Sequence, residues 1–431
     1  MKKNEYLMRS QGLSRRDIAK QLAYATLGVT VLEDLPKIRG EKPVEVPQLA
    51  GFGKAKRVIW LQMLGGMTHL DTFDPKKGAT AGPTKAVVAK AAGFELGHYM
   101  KNIAEHHSNQ MTVIRSMTSK TGVHESGQYL MRTGYEKRGT IMHPNLGAWG
   151  QNLLGKSHQI LPSSVCIGRN PDRGNGFMSA EYSPLPILSP ESGLQNAKLG
   201  VNEQTMAQRL NWLNAVDSGF RQKYASAEVK SYNVFYEETL KLLASDEIKV
   251  FDINKENKKT KELYGQDKFA QGCLLARRLV QNGVRFVEVA DGGWDMHNDL
   301  ADEIEEKGAV LDAAIHSLLV DLEQQGLLDT TLVVLCTEFG RTPKINSRNG
   351  RDHHPKVFST ALFGAGIKAG TVYGASDATG EEVAKDPVTI QDFHTTVGYL
   401  MGLDVNREVL SPSERPFSVG NEGQVISGVI S

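Results

Sequence analysis

Two short apolar runs, Val284 to Ala290 and Thr331 to Cys336, are rich in β-branched residues, and each gives way at once to polar side chains. That is the signature of buried parallel strands that end at a site. Between them Leu300, Ile304, Leu311, Ile315, Leu318 and Leu322 recur at helical spacing with acidic residues interleaved, and Gly326 stands where the pattern stops. An amphipathic helix with a glycine C-terminal signal is therefore expected. Strand, helix and strand make a βαβ unit, and open α/β sheets collect ligands at the carboxyl ends of their strands. Asp291, Asp295 and His297 follow the first strand; Glu338 and Arg341 follow the second.

The same pattern runs through the rest of the chain. Arg57 to Leu64, Met111 to Met117, Leu161 to Ile167 and Val357 to Phe363 read as further strands. Pro144 to Leu154, Phe269 to Val280 and Val388 to Leu403 read as helices. Glu203 to Ser245 is polar and helical, an insertion around residues 203–247. Lys76 to Gln110 reads as surface, with His98, His106 and His107 facing solvent, and Pro171 to Gly200 as a long loop. The expected fold class is α/β: a central, mostly parallel sheet with helices on both faces.

Composition changes this picture little. The chain has 431 residues, 50 Lys plus Arg against 49 Asp plus Glu, and 40% hydrophobic content. That supports a substantial core and gives no global charge to draw nucleic acid. Cys166, Cys273 and Cys336 are widely spaced, which fits neither a disulfide framework nor a zinc ribbon.

The amino-terminal stretch alters the expected location. A basic region leads into the apolar run Leu22 to Leu32, too short to span a bilayer comfortably, so no stable transmembrane span is expected. SRRDIAK resembles the twin-arginine signal Ser-Arg-Arg-x-Phe-Leu-Lys, departing from it at Ile18 and Ala19. The resemblance implies the twin-arginine export machinery as a partner and a periplasmic or cell-envelope location. Residues 1–50 are then signal and linker, and 51–431 the folded domain.

Chemistry concentrates at strand ends. After the first strand, Gly65-Gly66 precede His69 and Asp71, a nitrogen donor and a carboxylate placed where the backbone can approach a ligand. After Met111 to Met117, His124 and Ser126 fall at a turn before a helix; either is a nucleophile candidate, with Ser126 as a plain N-cap the equal alternative. GRDHHP brings His353 and His354.

GLLDTTLVVLCTEFG resembles a sulfatase and alkaline phosphatase segment in which a GLLDNT turn leads into a metal-binding strand end, and VEVADGGWDMH resembles their Asp/His zinc loop. The twin-arginine start, GGMTHLDTFDPK, WDMHNDL and TEFGRTPKINSRNGRDHHP together resemble the family catalogued as domain of unknown function 1501. The resemblance implies an alkaline-phosphatase-like α/β fold. Two departures stand out: Glu338-Phe339 replaces an Asp-His or Asp-Asn pair, and His124 occupies the position of the sulfatases' formylglycine precursor.

The expectation is a metal-dependent hydrolase of phosphate or sulfate esters, acting on a small anionic ester or a sulfated or phosphorylated glycan. Asp71, His69, Asp295, His297, Glu338, His353 and His354 form the ligand set, for zinc or manganese with calcium third. Arg341 would neutralise non-bridging oxygens, and His124, Ser126 or metal hydroxide would attack. The rival is an envelope binding or assembly protein that keeps the fold without catalysis.

Overall fold

Alternating apolar residues in the central strands explain how both faces of the sheet come to be covered. The computed structural model describes residues 49–431 except 91–93, 169–173, 196–202 and 224–226; the signal-like stretch and most of the linker lie outside the described residues. In strand β1 (Arg57–Met63), Ile59, Leu61 and Met63 belong to one apolar core, and Val58 and Trp60 to a second on the opposite face. Successive side chains of a strand point to opposite faces, so one sequence run feeds two cores.

The other principal strands are β2 (Met111–Thr118), β3 (Ser164–Ile167), β4 (Leu185–Ile187), β5 (Phe286–Asp291), β6 (Thr331–Thr337), the two-residue β7 (Gly340–Arg341) and β8 (His353–His354), then β9 (Phe358–Gly364), β10 (Thr371–Tyr373) and β11 (Val388–Thr389). The main sheet runs β10-β2-β9-β6-β1-β5-β3-β4, with β11 also on β2. Only β9 is antiparallel to its neighbours, β2 and β6; the remaining pairings are parallel. The expected class holds: mixed α/β with a central, mostly parallel sheet. The two strands of the opening βαβ pattern are not neighbours, because β1 pairs with both and lies between them.

The principal described helices are α1 (His124–Thr133), α2 (Leu146–Leu154), α3 (Glu203–Lys223), α4 (Ala227–Leu243), α5 (Lys268–Gln281), α6 (Leu300–Gln324) and α7 (Ile390–Leu400). Helices α5 and α6 pack on one sheet face through Leu274, Leu275, Ile304, Leu311, Ile315 and Leu318. Helices α1, α2 and α7 pack on the other through Leu130, Trp149, Phe393 and Val397. No described helix is long and apolar enough to cross a membrane.

Three expectations are corrected here. The segment read as surface contributes Phe94, Leu96, Met100, Ile103 and Ala104 to the core, and His107 is buried against His316, Nε2 to Nδ1 at 2.9 Å. Apolar residues there are spaced irregularly over short turns, so no single period shows them. The loop from Pro171 contains β4, and the last helix begins two residues late because Thr389 is its N-cap, in a capping box with Asp392.

Buried histidines set the acid limit of this fold. His69 and His394 are fully buried, and burial lowers each pKa from 6.5 to about 4. Between those values the unfolded chain binds protons that the folded chain refuses, so stability rises with pH across that window. Stability is intact above about pH 6.5, and each histidine is expected to cost up to about 3 kcal/mol by pH 4. Denaturant unfolding at a series of pH values checks this; His394→Asn should flatten the slope, and an unchanged slope would refute the assignment.

Candidate metal centre

Five segments remote in sequence meet at the carboxyl ends of β1, β5 and β6. Gly65 and Gly66 end β1, and a Cβ on Gly65 (φ 121°) would lie 2.5 Å from the Asp295 nitrogen, so the loop after β5 packs here only against glycine. That loop carries Asp295 and His297. Strand β6 runs into Glu338 and Phe339, both fully buried. The antiparallel β7–β8 ribbon sets His353 opposite Arg341 and His354 opposite Gly340, and α1 starts at His124.

Around Asp295 Oδ1, His124 Nε2 lies at 3.3 Å, His297 Nε2 at 3.1 Å and His353 Nε2 at 3.2 Å. His297 Nε2 and His353 Nε2 are 2.9 Å apart. The other nitrogen of each ring faces an oxygen that can only accept: His124 Nδ1 faces Glu338 Oε1 at 2.7 Å, His297 Nδ1 faces Asp352 Oδ1 at 2.9 Å, and His353 Nδ1 faces the Gly122 carbonyl at 2.7 Å. Each Nδ1 therefore carries a proton, and any ring that is neutral presents a lone pair at Nε2. Three lone pairs and a carboxylate oxygen then crowd one point, and the buried His124 Nε2 has no hydrogen-bond partner. A cation bound among neutral rings would satisfy these acceptors together.

The donor set fits a metal ion. His124, Asp295 and His353 offer ligand atoms all within 4.8 Å of one another, and His297 stands beside Asp295 and His353. For tetrahedral bonds of ~2.0–2.1 Å the ligand atoms stand ~3.3 Å apart, close to the separations found here. Oxygen partners behind each histidine fix tautomer and ring orientation, as second-shell groups do at metal sites.

Electrostatics link the same residues. The Glu338 hydrogen bond raises the His124 pKa above the ordinary imidazole value, against the opposing effect of burial. Burial would push the Asp295 pKa up, but the Arg341 hydrogen bond and charge, with His353 and His124, outweigh it and hold the carboxylate well below its usual range.

The expected ligands divide on this geometry. His124, Asp295, His297 and His353 come together. Glu338 stands behind His124 and also accepts from Gly65 N at 2.9 Å and Gln128 Nε2 at 3.2 Å. Asp71 is withdrawn into a buried ion pair, with Oδ2 accepting from Arg351 Nε at 2.8 Å and Thr68 Oγ1 at 2.7 Å, and Oδ1 from Thr84 Oγ1 at 2.6 Å. His69 Nε2 donates to the Gly380 carbonyl at 3.0 Å, and His354 Nε2 to the Glu381 carbonyl at 2.6 Å. Both pin the tip of a surface hairpin instead of joining the cluster.

Arg341 also departs from its expected role. It is 1% exposed and spends four of its five N–H donors on the carbonyls of Gly66 (2.8 Å), Gly65 and Arg351 (2.9 Å) and on Asp295, so its side chain is turned into the protein. Ser126 is half-buried on α1, and none of the cluster's hydrogen bonds goes to it. Asp352 and Gln128 are partners that sequence reasoning missed. Asp352 directly precedes His353, and Gln128 is one helical turn from His124, a spacing that places both on one face.

Glu338→Gln keeps the shape but replaces the carboxylate behind His124. It is expected to weaken metal binding about 10–100-fold without abolishing it. Competition against a chromophoric chelator measures this, and unaltered affinity would remove Glu338 from the supporting set.

Fold and cluster together define a class: a mixed α/β protein with a histidine–carboxylate centre at the carboxyl ends of its central strands. More particularly, residues 55–430 match the family described as "Protein of unknown function (DUF1501)", and the chain belongs to it. No curated protein matches in sequence. Solved structures to which the chain is similar include the lipoteichoic acid synthase LtaP from Listeria monocytogenes, at 10% identity over 88% of this chain and 78% of that one, TM-score 0.41. Others are the PsFucS1 sulfatase from Pseudoalteromonas sp., at 13% identity over 82% and 69%, TM-score 0.37, and the phosphonate monoester hydrolase SpPMH from Silicibacter pomeroyi, at 11% over 86% and 76%, TM-score 0.36.

Proposed function

We propose that this protein is an exported metal-dependent hydrolase of phosphate or sulfate esters. The observation that carries the metal dependence is the convergence of three imidazole Nε2 atoms on Asp295 Oδ1, with every Nδ1 held by an oxygen acceptor. The ester class rests on the resemblance of GLLDTTLVVLCTEFG and VEVADGGWDMH to phosphatase and sulfatase segments, and export on SRRDIAK. Three imidazoles favour zinc, then manganese; calcium prefers an all-oxygen shell.

When bound, a divalent ion supplies Lewis acidity toward an ester oxygen and an activated water at neutral pH. The chain's own residues prepare the place. Glu338, Asp352 and the Gly122 carbonyl fix the orientation of the rings, and Arg341 holds Asp295 ionised. The three cysteines are buried and Ser126 is outside the cluster's hydrogen bonds, which leaves attack to water. His124, His297 and His353 are 27%, 24% and 29% exposed at their side chains and Asp295 47%, so the cluster faces solvent and is open to a large ester such as a sulfated or phosphorylated glycan.

One observation favours the rival, an envelope binding or assembly protein. Arg341 points inward and spends its side chain on main-chain carbonyls and Asp295. Metal analysis followed by aryl phosphate, phosphodiester and sulfate ester assays separates the two. Turnover that is lost in Asp295→Ala supports the hydrolase; stoichiometric metal with no turnover on any ester supports the rival.

A further inference from the structure

Phe339 follows Glu338 where β6 leaves the sheet, and it is fully buried. A buried phenylalanine ordinarily joins an apolar core. Of the two cores formed by the described residues, Phe339 belongs to neither. Its ring stands against the histidine cluster instead, with its centroid 4.9 Å from that of His124 at 32° between planes and 4.9 Å from that of His353 at 44°. The two imidazoles are themselves 4.3 Å apart and nearly edge to face, at 74°. One aromatic ring thus backs two of the three residues whose ligand atoms lie within 4.8 Å of one another.

Main chain closes the opposite edges of that ring. A Cβ on Gly66, in the loop after β1, would lie 2.7 Å from Phe339 Cε2 and 2.9 Å from Cδ2, and one on Gly127 of α1 would lie 3.1 Å from Cδ1. Carbon atoms pack at about 3.5–4.0 Å, so the ring fits between these two segments because both are glycine there. It has no room to retreat from the imidazoles sideways. Its own chain is tied down on both sides, since Glu338 Oε1 accepts from Gly65 N at 2.9 Å and Gly340 pairs with His354 in the β7–β8 ribbon.

Hydrogen bonds alone leave the imidazoles one freedom. His124 is held at Nδ1 by Glu338 and His353 at Nδ1 by the Gly122 carbonyl, and a ring held at one atom can still swing about that contact. An aromatic wall against both rings limits the swing. The swing would alter the separation and angle of the two Nε2 atoms, and divalent ions are sorted by site geometry more than by raw affinity. Zinc suits a narrow tetrahedral opening, manganese a wider octahedral one.

We propose that Phe339 is a positioning residue that holds His124 and His353 at one fixed opening and so gives the centre a preference for zinc over manganese. This rests on the metal-dependent reading of the centre and deepens it by naming what selects the ion.

The test uses the full chain, stripped with chelator and reloaded. Zinc and manganese affinities are measured by competition against a chromophoric chelator, and cobalt(II) serves as a probe whose visible absorption reports coordination geometry. Phe339→Leu keeps an apolar side chain without the ring, and should weaken zinc about tenfold more than manganese and move the cobalt bands. Gly127→Ala keeps the ring but presses on it from α1, where the helix itself accepts alanine readily, and should also move the bands. Phe363→Leu makes the same change at a fully buried residue of one apolar core, and should leave both the bands and the zinc preference as they are in the unaltered protein. Thermal unfolding of the stripped proteins shows which variants fold. An unchanged spectrum and zinc preference in Phe339→Leu, or an equal change in Phe363→Leu, overturns the proposal; if Phe339→Leu does not fold, an unchanged spectrum in Gly127→Ala overturns it alone. An unaltered protein that takes up no ion sinks the metal centre as well, which tells the two failures apart.

Discussion

His353→Ala is expected to reduce zinc affinity by more than about 100-fold, exceeding the effect of changing a group behind a ligand. It removes one of the three ligand atoms that lie within 4.8 Å of one another, together with the ring whose Nδ1 ties the ribbon to the Gly122 carbonyl. In the intact protein a chelator should strip one ion per chain, and zinc at about 1,000 times its dissociation constant should restore ~4 kcal/mol of stability, visible as a rise in melting temperature. The variant should show no such rise. Metal analysis and thermal unfolding with and without zinc are the measurements. A variant that retains one tightly held ion would place the centre elsewhere.

Asp71→Asn is expected to destabilise the fold by about 3–5 kcal/mol while leaving metal stoichiometry unchanged in the protein that remains folded at low temperature. Asp71 and Arg351 are both fully buried, and removing the carboxylate charge leaves a guanidinium uncompensated in the interior. Arg351 also donates to the carbonyls of Thr342 (3.1 Å) and Thr80 (3.0 Å) and to that of Pro343. Its own main chain accepts from Arg341 and donates to the Met296 carbonyl at 3.0 Å. The pair therefore fastens the loop that joins β7 to β8, and its loss loosens the centre only through the fold. Loss of metal with normal stability would instead make Asp71 a ligand. Urea unfolding and metal analysis on one preparation distinguish the outcomes.

Much of the scaffold was legible because the central strands are buried on both faces and read as continuous apolar runs, and because α6 has a clean helical period. The polar residues after β5 and β6 met as strand-end logic requires, and His297 and Asp295 were legible for that reason. Asp71 was not. A carboxylate two turns of loop past a strand looks the same whether it meets an ion or a guanidinium, and Arg351 lies 280 residues away in sequence. Arg341 was misjudged for a related reason: an arginine beside a site suits an anion, but here three main-chain carbonyls and Asp295 claim it before any substrate does. Glu338 has the reach to support His124 from below, and only packing shows which side of the ring it takes.

The tandem histidines of β8 look interchangeable in sequence, yet strand alternation commits them to opposite directions, His353 to the cluster and His354 to the Glu381 carbonyl. Neither is a spare. A single-residue deletion between Arg351 and His353 would present the neighbouring side chain instead, so this stretch should tolerate substitution far better than any change of length. The spacing itself is thus heritable information: among descendants of this gene, lineages that retain the centre should preserve the count of residues here even where identities drift.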